Sequence, residues 1–276
     1  MFVDFATTRA TYETFVDESH DFDLTGPESV LRGLTADDLV LDFCAEDITG
    51  LADGDTVGDW VARRGGLTAS ATGAPTYTAP DSDLGVPSVA YAASGDVHET
   101  PATIDWSAYA EATILGVHYT ESASGVSRGM SLAAGALSIG DANARGLGTY
   151  RVDAKITGLH FTDEAETSIW RFERDNIVDP ALAVTVVTHD LLAVTEADLI
   201  EVYVNGEEQE GTGQGDTTQG SAWQSDLRVR LGGADATASS EGLDGRLHRF
   251  VALPRALSAD NAVQACDLLT RLAKAV

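Results

Sequence analysis

Residues 201–211 read EVYVNGEEQEG. Val202, Tyr203 and Val204 are the β-branched and aromatic types that suit a pleated surface. Asn205-Gly206 follows, and both residues tolerate the positive φ that a type I′ turn demands, so the stretch predicts a β-hairpin. The returning arm, Glu207-Glu208-Gln209, has no apolar residue to bury. It predicts the rim of a sheet, facing water or a partner.

Outward from this hairpin, β-branched or alternating runs separated by Gly, Asp, Asn and Ser dominate the 276 residues. They are LVLDFCA (39–45), PSVAYAA (87–93), ATILGVHYT (112–120), MSLAAGALSIG (130–140), TYRVDAKITG (149–158), TSIWRFER (167–174), LAVTVVTHD (182–190), IEVYVNG (200–206), LRVRLGG (227–233) and GRLHRFVAL (245–253). LRVRLGG sets Leu227, Val229 and Leu231 against Arg228 and Arg230. TYRVDAKI, taken as one strand, sets Tyr150, Val152, Ala154 and Ile156 against Arg151, Asp153 and Lys155. That alternation predicts antiparallel strands with one buried face. Spacings of roughly ten to fifteen residues predict an all-β antiparallel sandwich or jelly roll. In the final run, Leu247 and Phe250 cannot share a face of a regular strand, so a bulge or local twist is expected between them.

Helical periodicity is confined to SADNAVQACDLLTRLAKAV at the C-terminus, with Ser258 as N-cap and Val263, Cys266, Leu269 and Ala273 on one face. A single turn is expected within PESVLRGLTADD (27–38). Residues 53–86 are rich in turn formers, without periodicity, and predict loop. Residues 1–37 are set apart from a sandwich over 38–276. There Phe2, Phe5, Tyr12, Phe15 and Phe22 lie scattered among Asp, Glu and Thr. That composition fits either an edge strand or packed arm, or an arm that docks on a neighbouring subunit through Phe2, Phe5, Tyr12 and Phe15.

The formal net charge is −27. Phosphate binding needs a basic patch, so nucleic acid is excluded as a direct partner, and anionic membrane on the same ground. Lysine occurs only at Lys155 and Lys274. An acidic, lysine-poor surface fits either life at high salt or an acidic exterior in an arginine-biased coding background. No basic-then-apolar leader opens the chain, and no run of 18 apolar residues predicts a membrane span. Cys44 and Cys266 do not make a disulfide framework; two buried free thiols are expected, with a bridge as the alternative.

The order of motifs resembles laminin-G-like domains of the concanavalin A-like lectin/glucanase superfamily. DGDTVGDWVARRGG carries Trp60. GAPTYTAPDSDLGVPSVAYAASGDV carries Gly73, Pro75 and Tyr77, then Gly85, Pro87, Val89 and Tyr91. VTVVTHD and IEVYVNGEE resemble the family's paired strands. GLDGRLHRFVALPRALSADNAVQACDLL resembles its closing strand and short helix. The resemblance spans about residues 38–276 and implies a jelly-roll sandwich with a short C-terminal helix. Many such domains bind calcium at the sheet rim, so it also implies possible Ca2+ at Asp53, Asp55 and Asp59 in DGDTVGD, or at Asp81 and Asp83 in APDSDLG, against the alternative of solvated acidic loops. No cofactor is required.

Glucanases of this superfamily place carboxylates on a strand as Glu-x-Asp-x-x-Glu or Glu-x-Asp-x-Glu, and no such array occurs here. FERD (172–175) and DEAE (163–166) have other spacings. His118, His160, His189 and His248 show no metal-ligand spacing and read as sheet histidines. No nucleophile elbow or phosphate loop is present. The chain is therefore expected not to be an enzyme. Sugar platforms need exposed aromatics, and Trp106, Tyr109, Trp170 and Trp223 are the candidates, Trp223 following the polar loop GTGQGDTTQGSAW.

A surface-recognition fold without an export leader, hydrolase array or membrane anchor fits a structural protein of a tailed virus: a tail fibre, tail tip or capsid decoration. Such a protein would contact host glycans, other virion proteins or its own copies, with avidity from many copies. The alternatives are a carbohydrate-binding or adhesion module outside a virus and a divergent glycoside hydrolase.

Overall fold

The computed structural model describes residues 41–92, 95–120, 126–134, 145–152, 155–161, 169–174, 181–193, 199–209, 223, 225–233 and 242–274. The first 40 residues, with Phe2, Phe5, Tyr12, Phe15 and the turn expected in 27–38, lie outside them.

Two antiparallel eight-stranded sheets form a sandwich. With strands numbered along the chain, sheet one runs β14 (Glu207–Glu208), β13 (Ile200–Val204), β12 (Ala181–Asp190), β7 (Glu111–Thr120), β16 (Gly245–Leu253), β5 (Ser88–Tyr91) and β4 (Thr76–Thr78). The short β1 (Leu41–Cys44) also pairs with β16. Sheet two runs β11 (Ile169–Arg174), β10 (Lys155–Phe161), β9 (Arg145–Val152), β8 (Val126–Ala134), β15 (Arg228–Leu231), β6 (Val97–Glu99), β3 (Thr68–Thr72) and β2 (Asp59–Val61).

The opening hairpin forms as its residues dictate. Asn205 and Gly206 have φ of 53° and 85°, as a type I′ turn needs. Asn205 also extends the ladder of β12. Its N–H donates to the Val184 carbonyl at 2.8 Å, and its Oδ1 accepts from the Val184 N–H at 2.9 Å. The acidic arm, β14, is the end strand of sheet one, and Glu207 and Glu208 are exposed. Charge on an end strand discourages further strand pairing.

β7 and β12 are buried on both faces, unlike a strand that shows one side to water. Ile114 pairs with Val187, and Gly116 with Thr185, facing sheet two. Leu115 pairs with Val186 and Val117 with Val184 on the other face, with Tyr203 beside Val186. Helix α1 (Ala259–Lys274) covers that second row, packing on β12 and β13. Ala262, Ala265, Cys266, Leu269 and Ala273 are buried, and Val263 is half-buried. The Cys266 thiol lies 3.8 Å from the Val184 carbonyl, and the Gly85 N–H caps the Ala273 carbonyl at 2.9 Å.

Between the sheets, the tip of Met130 on β8 fills the space that a side chain at Gly116 would take, 2.0–2.1 Å from where a Cβ would stand. Phe43 meets Trp60 edge-on at 6.1 Å and Phe250 at 6.4 Å. The Trp60 indole donates to the Cys44 carbonyl at 3.2 Å. The expected bulge is present. Leu247 pairs with His118 and Arg249 with Val117, which leaves His248 as the extra residue. Leu247 and Phe250 both reach the core as a result. Cys44 and Cys266 are buried free thiols, and burial pushes their pKa values up to about 12 and about 11.

Two expectations are corrected. TYRVDAKI is not one strand, because β9 ends at Val152 and β10 begins at its partner Lys155. The register pairs Ile156 with Arg151, so the alternation does not run through. Residues 53–86 hold three short strands, β2, β3 and β4. Their Thr, Ser and Ala residues are mostly half-exposed or exposed, with little apolar alternation to reveal them.

Candidate functional site

Three of the four candidate sugar aromatics come together where β7 begins and β12 ends. Trp106 and Tyr109 lie edge-on at 6.3 Å. The Trp223 backbone N–H donates to the Tyr109 carbonyl at 3.1 Å, and the Trp223 ring meets His189 at 5.4 Å. Trp106 is 0% and Trp223 4% exposed. The platform expected at these two indoles is thereby corrected: they fill space at the end of the sandwich and present no open face. Tyr109 is half-buried. Leu192, 64% exposed, lies on the adjoining turn, which is tied to Ala110 through the Leu191 N–H at 3.0 Å. Asp105 accepts from the Ser107 hydroxyl and N–H, and these bonds hold its carboxyl below the usual carboxylate range. Trp170 is on β11, paired with His160, and its side chain lies outside the described residues. So do Asp175 and the DEAE segment.

The five candidate calcium carboxylates part into separate settings. Asp81 Oδ1 caps the N–H groups of Asp83 and Leu84 at 2.8 and 2.9 Å. Its other oxygen pairs with Arg246, whose Nη2 also reaches Asp83 Oδ2 at 3.1 Å. The guanidinium stacks 4.5 Å from the centre of the Tyr119 ring. A cation is thus already built into this loop. Asp53 accepts from the Ala79 N–H at 3.0 Å and Asp55 from the Ala52 N–H at 2.7 Å, so both act as loop fasteners. Among the described residues, no group of three or more His, Cys, Asp and Glu side chains is placed to hold a metal ion.

Asp59 differs. It lines an open cleft of about 250 Å³ between segments 47–51 and 56–61, where the chain crosses from β1 of sheet one to β2, the end strand of sheet two. Ile48 and Val61 supply apolar surface, Thr49 and Thr56 hydroxyls, and Asp47 a second carboxylate. Asp47 is engaged by Arg63 through Nε and Nη2, both at 2.9 Å. Arg63 also reaches Glu46 at 3.7 Å. Backbone bonds fix the cleft: Val57 N–H to the Pro75 carbonyl at 2.8 Å and Ala71 N–H to the Gly58 carbonyl at 2.7 Å. Sequence reasoning reached Asp59 but missed Ile48, Thr49, Thr56 and Val61. Two non-adjacent segments build the cleft, and neither has a motif.

No protein-family model matches the chain, and no curated protein sequence does. Solved structures are similar in fold. Trypanosoma rangeli sialidase in complex with sialic acid superposes with a TM-score of 0.56 at 12% identity, over 98% of this chain and 39% of that one. The botulinum neurotoxin serotype G binding domain gives 0.54 at 12% identity, over 83% and 51%. The receptor-binding domain of botulinum neurotoxin C/D mosaic serotype gives 0.53 at 9% identity, over 82% and 50%. The chain therefore spans about two fifths of the sialidase and half of each toxin domain. At these identities the likeness establishes the fold alone, an all-β antiparallel sandwich.

Proposed function

We propose that this chain is a non-catalytic carbohydrate-binding module. The observation that carries the proposal is the rim cleft: a small open concavity that sets a carboxylate and hydroxyls beside exposed apolar carbon, on a lectin-type sandwich. Sugars present that same mixture of hydroxyl rims and C–H faces. Pockets of small-molecule size combine apolar lining with a few polar groups in this way. The likeness in fold to a sialidase crystallised with sialic acid and to toxin binding domains supports the class of ligand. Most glycoside hydrolases work with two carboxyl groups flanking the bond. Here Asp47 is taken up by Arg63, which leaves Asp59 alone.

Glycan-array binding by the full chain, with and without added calcium, tests the reading. Binding to a defined set of glycans is expected, without hydrolysis of fluorogenic glycosides. An array with no binding under either condition would sink the proposal, and glycoside turnover would replace it with the hydrolase reading. A place in a virus particle is a second proposal, favoured by the aromatic and acidic residues of the first 36 positions. Electron microscopy of particles carrying the chain, showing it at a symmetric position, is the result that reading requires.

A further inference from the structure

The rim cleft has a definite charge. Asp47 and Asp59 both line it, and the Arg63 guanidinium beside it is committed to Asp47 and Glu46. Among the described residues no arginine or lysine side chain pairs with Asp59. The chain as a whole carries −27. Any ligand carboxylate entering here would approach the like charge of Asp59 and Asp47, whereas a hydroxyl or an ammonium would meet a ready acceptor. Val61 is 58% exposed and, with Leu192, one of two large apolar side chains so exposed among the described residues. It gives the C–H face of a pyranose a surface to cover. The volume of about 250 Å³ suits one ring rather than a chain of them.

We infer that the cleft between residues 47–51 and 56–61 is a monosaccharide subsite selective for neutral and amino sugars, and that it rejects sialic and uronic acids. This rests on the carbohydrate-binding reading and adds a specificity that fold alone does not supply. Asp59 accepts the ligand's hydroxyls or ammonium, the threonine hydroxyls complete the polar edge, and Ile48 and Val61 cover the ring.

Gly58 offers a clean way to block the site. It lines the cleft, an added Cβ there meets no atom within 4 Å, and its backbone is outside the left-handed region. The backbone at Gly58 therefore accepts a side chain, and Gly58→Leu projects one from the wall of the cleft. Asp59→Asn keeps the shape and removes the charge. The experiment is ligand-observed NMR titration of the full chain and both variants with glucose, galactose, mannose, glucosamine, N-acetylneuraminic acid and glucuronic acid, at about 0.15 M salt.

At least one neutral hexose or glucosamine is expected to bind about tenfold or more tighter than either acidic sugar. Gly58→Leu is expected to abolish that binding. Asp59→Asn is expected to weaken glucosamine about tenfold, the scale of one charge-assisted hydrogen bond, and to narrow the gap to the acidic sugars. Should Gly58→Leu fail to fold, Asp59→Asn decides alone. Acidic sugars binding as tightly as neutral ones, or Asp59→Asn leaving every affinity within twofold, would overturn the inference while the carbohydrate-binding reading stands. Failure of the chain to bind any sugar, on the array and by NMR, would overturn both.

Discussion

Arg246 and Arg249 lie three residues apart on β16, and each side chain is 6% exposed, yet they hold carboxylates in opposite settings. Arg249 pairs with Asp42 on the neighbouring β1, and that carboxylate is 3% exposed. Arg246 reaches out to Asp81 and Asp83 in a rim loop, at 39% and 47%. Burial alone would lower the pKa of Arg249, but Asp42 outweighs it and the group is held above its ordinary value. The sealed pair cannot exchange its partner for water, and the open one can. The same residue types thus make a core fixture in one place and a loop fastener in the other. In the rim cleft, Asp47 is held by Arg63, and Asp59 is the lining carboxylate that pairs with no arginine or lysine among the described residues.

The strongest way to break this contrast is Asp42→Ala. It takes the paired carboxylate away from a charged Arg249 that is itself buried, and a loss of about 3–5 kcal/mol is expected. In a domain of this size that corresponds to roughly 10 °C in Tm. Chemical denaturation of the full chain reads it directly. The double variant Asp42→Leu with Arg249→Met is expected to recover most of the loss, because the buried cation is removed together with its carboxylate. A cost for Asp42→Ala no larger than for Asp83→Ala would erase the distinction between sealed and open pairs.

A second sealed polar pair has no charge and should respond to acid instead. The Tyr91 hydroxyl lies 3.0 Å from His98 Nδ1, inside the core and edge-on to Trp60. Burial holds the tyrosine well above its usual pKa, so its hydroxyl stays protonated and shares a hydrogen bond with the imidazole. Burial pushes the His98 pKa down to about 4, with the Val57 carbonyl working the other way. The unfolded chain therefore takes up this proton first. Stability is full above about pH 6.5 and falls as the pH drops toward 4, by about 3 kcal/mol at most. His248, also depressed by burial, adds in the same direction. Unfolding free energies from pH 7 to pH 4 check it. His98→Phe should flatten much of that slope, and an unchanged slope would place the acid sensitivity elsewhere.

The sequence disclosed those parts of the fold that rest on local chemistry. Asn205-Gly206 announced its turn, the Leu247–Phe250 spacing announced the bulge at His248, and the periodicity after Ser258 announced α1. It hid what depends on distant partners. Asp42 and Arg249 are 207 positions apart, and nothing near either foretells the pair. Arg246 is 165 positions from Asp81, and nothing near it in the chain foretells a cation within the Asp81–Asp83 loop. Period two also cannot tell a straight strand from one that reverses within two residues, which is why TYRVDAKI misled. For the candidate site, Trp106 and Trp223 showed their residue type but not their burial. The cleft around Asp59 needed two segments folded against each other before it existed.

The smallest effect expected is at the open clamp itself. Asp83 is nearly half exposed, and its bond to Arg246 duplicates the one from Asp81. Asp83→Ala should therefore cost no more than about 0.5 kcal/mol, and less still at 1 M salt, where exposed charges are screened. Asp81→Ala should cost more, roughly 1–2 kcal/mol, because Asp81 also caps the Leu84 and Asp83 N–H groups and holds the loop against Arg246 and Tyr119. Denaturation of the two single variants and the double variant at low and high salt separates the contributions. If the Asp81 cost vanishes with salt along with that of Asp83, the loop is held by charge alone; if it persists, the carboxylate is chiefly a turn-forming acceptor. In that case the loop has no vacancy for a metal ion, because forming one would require giving up the bonds that shape it.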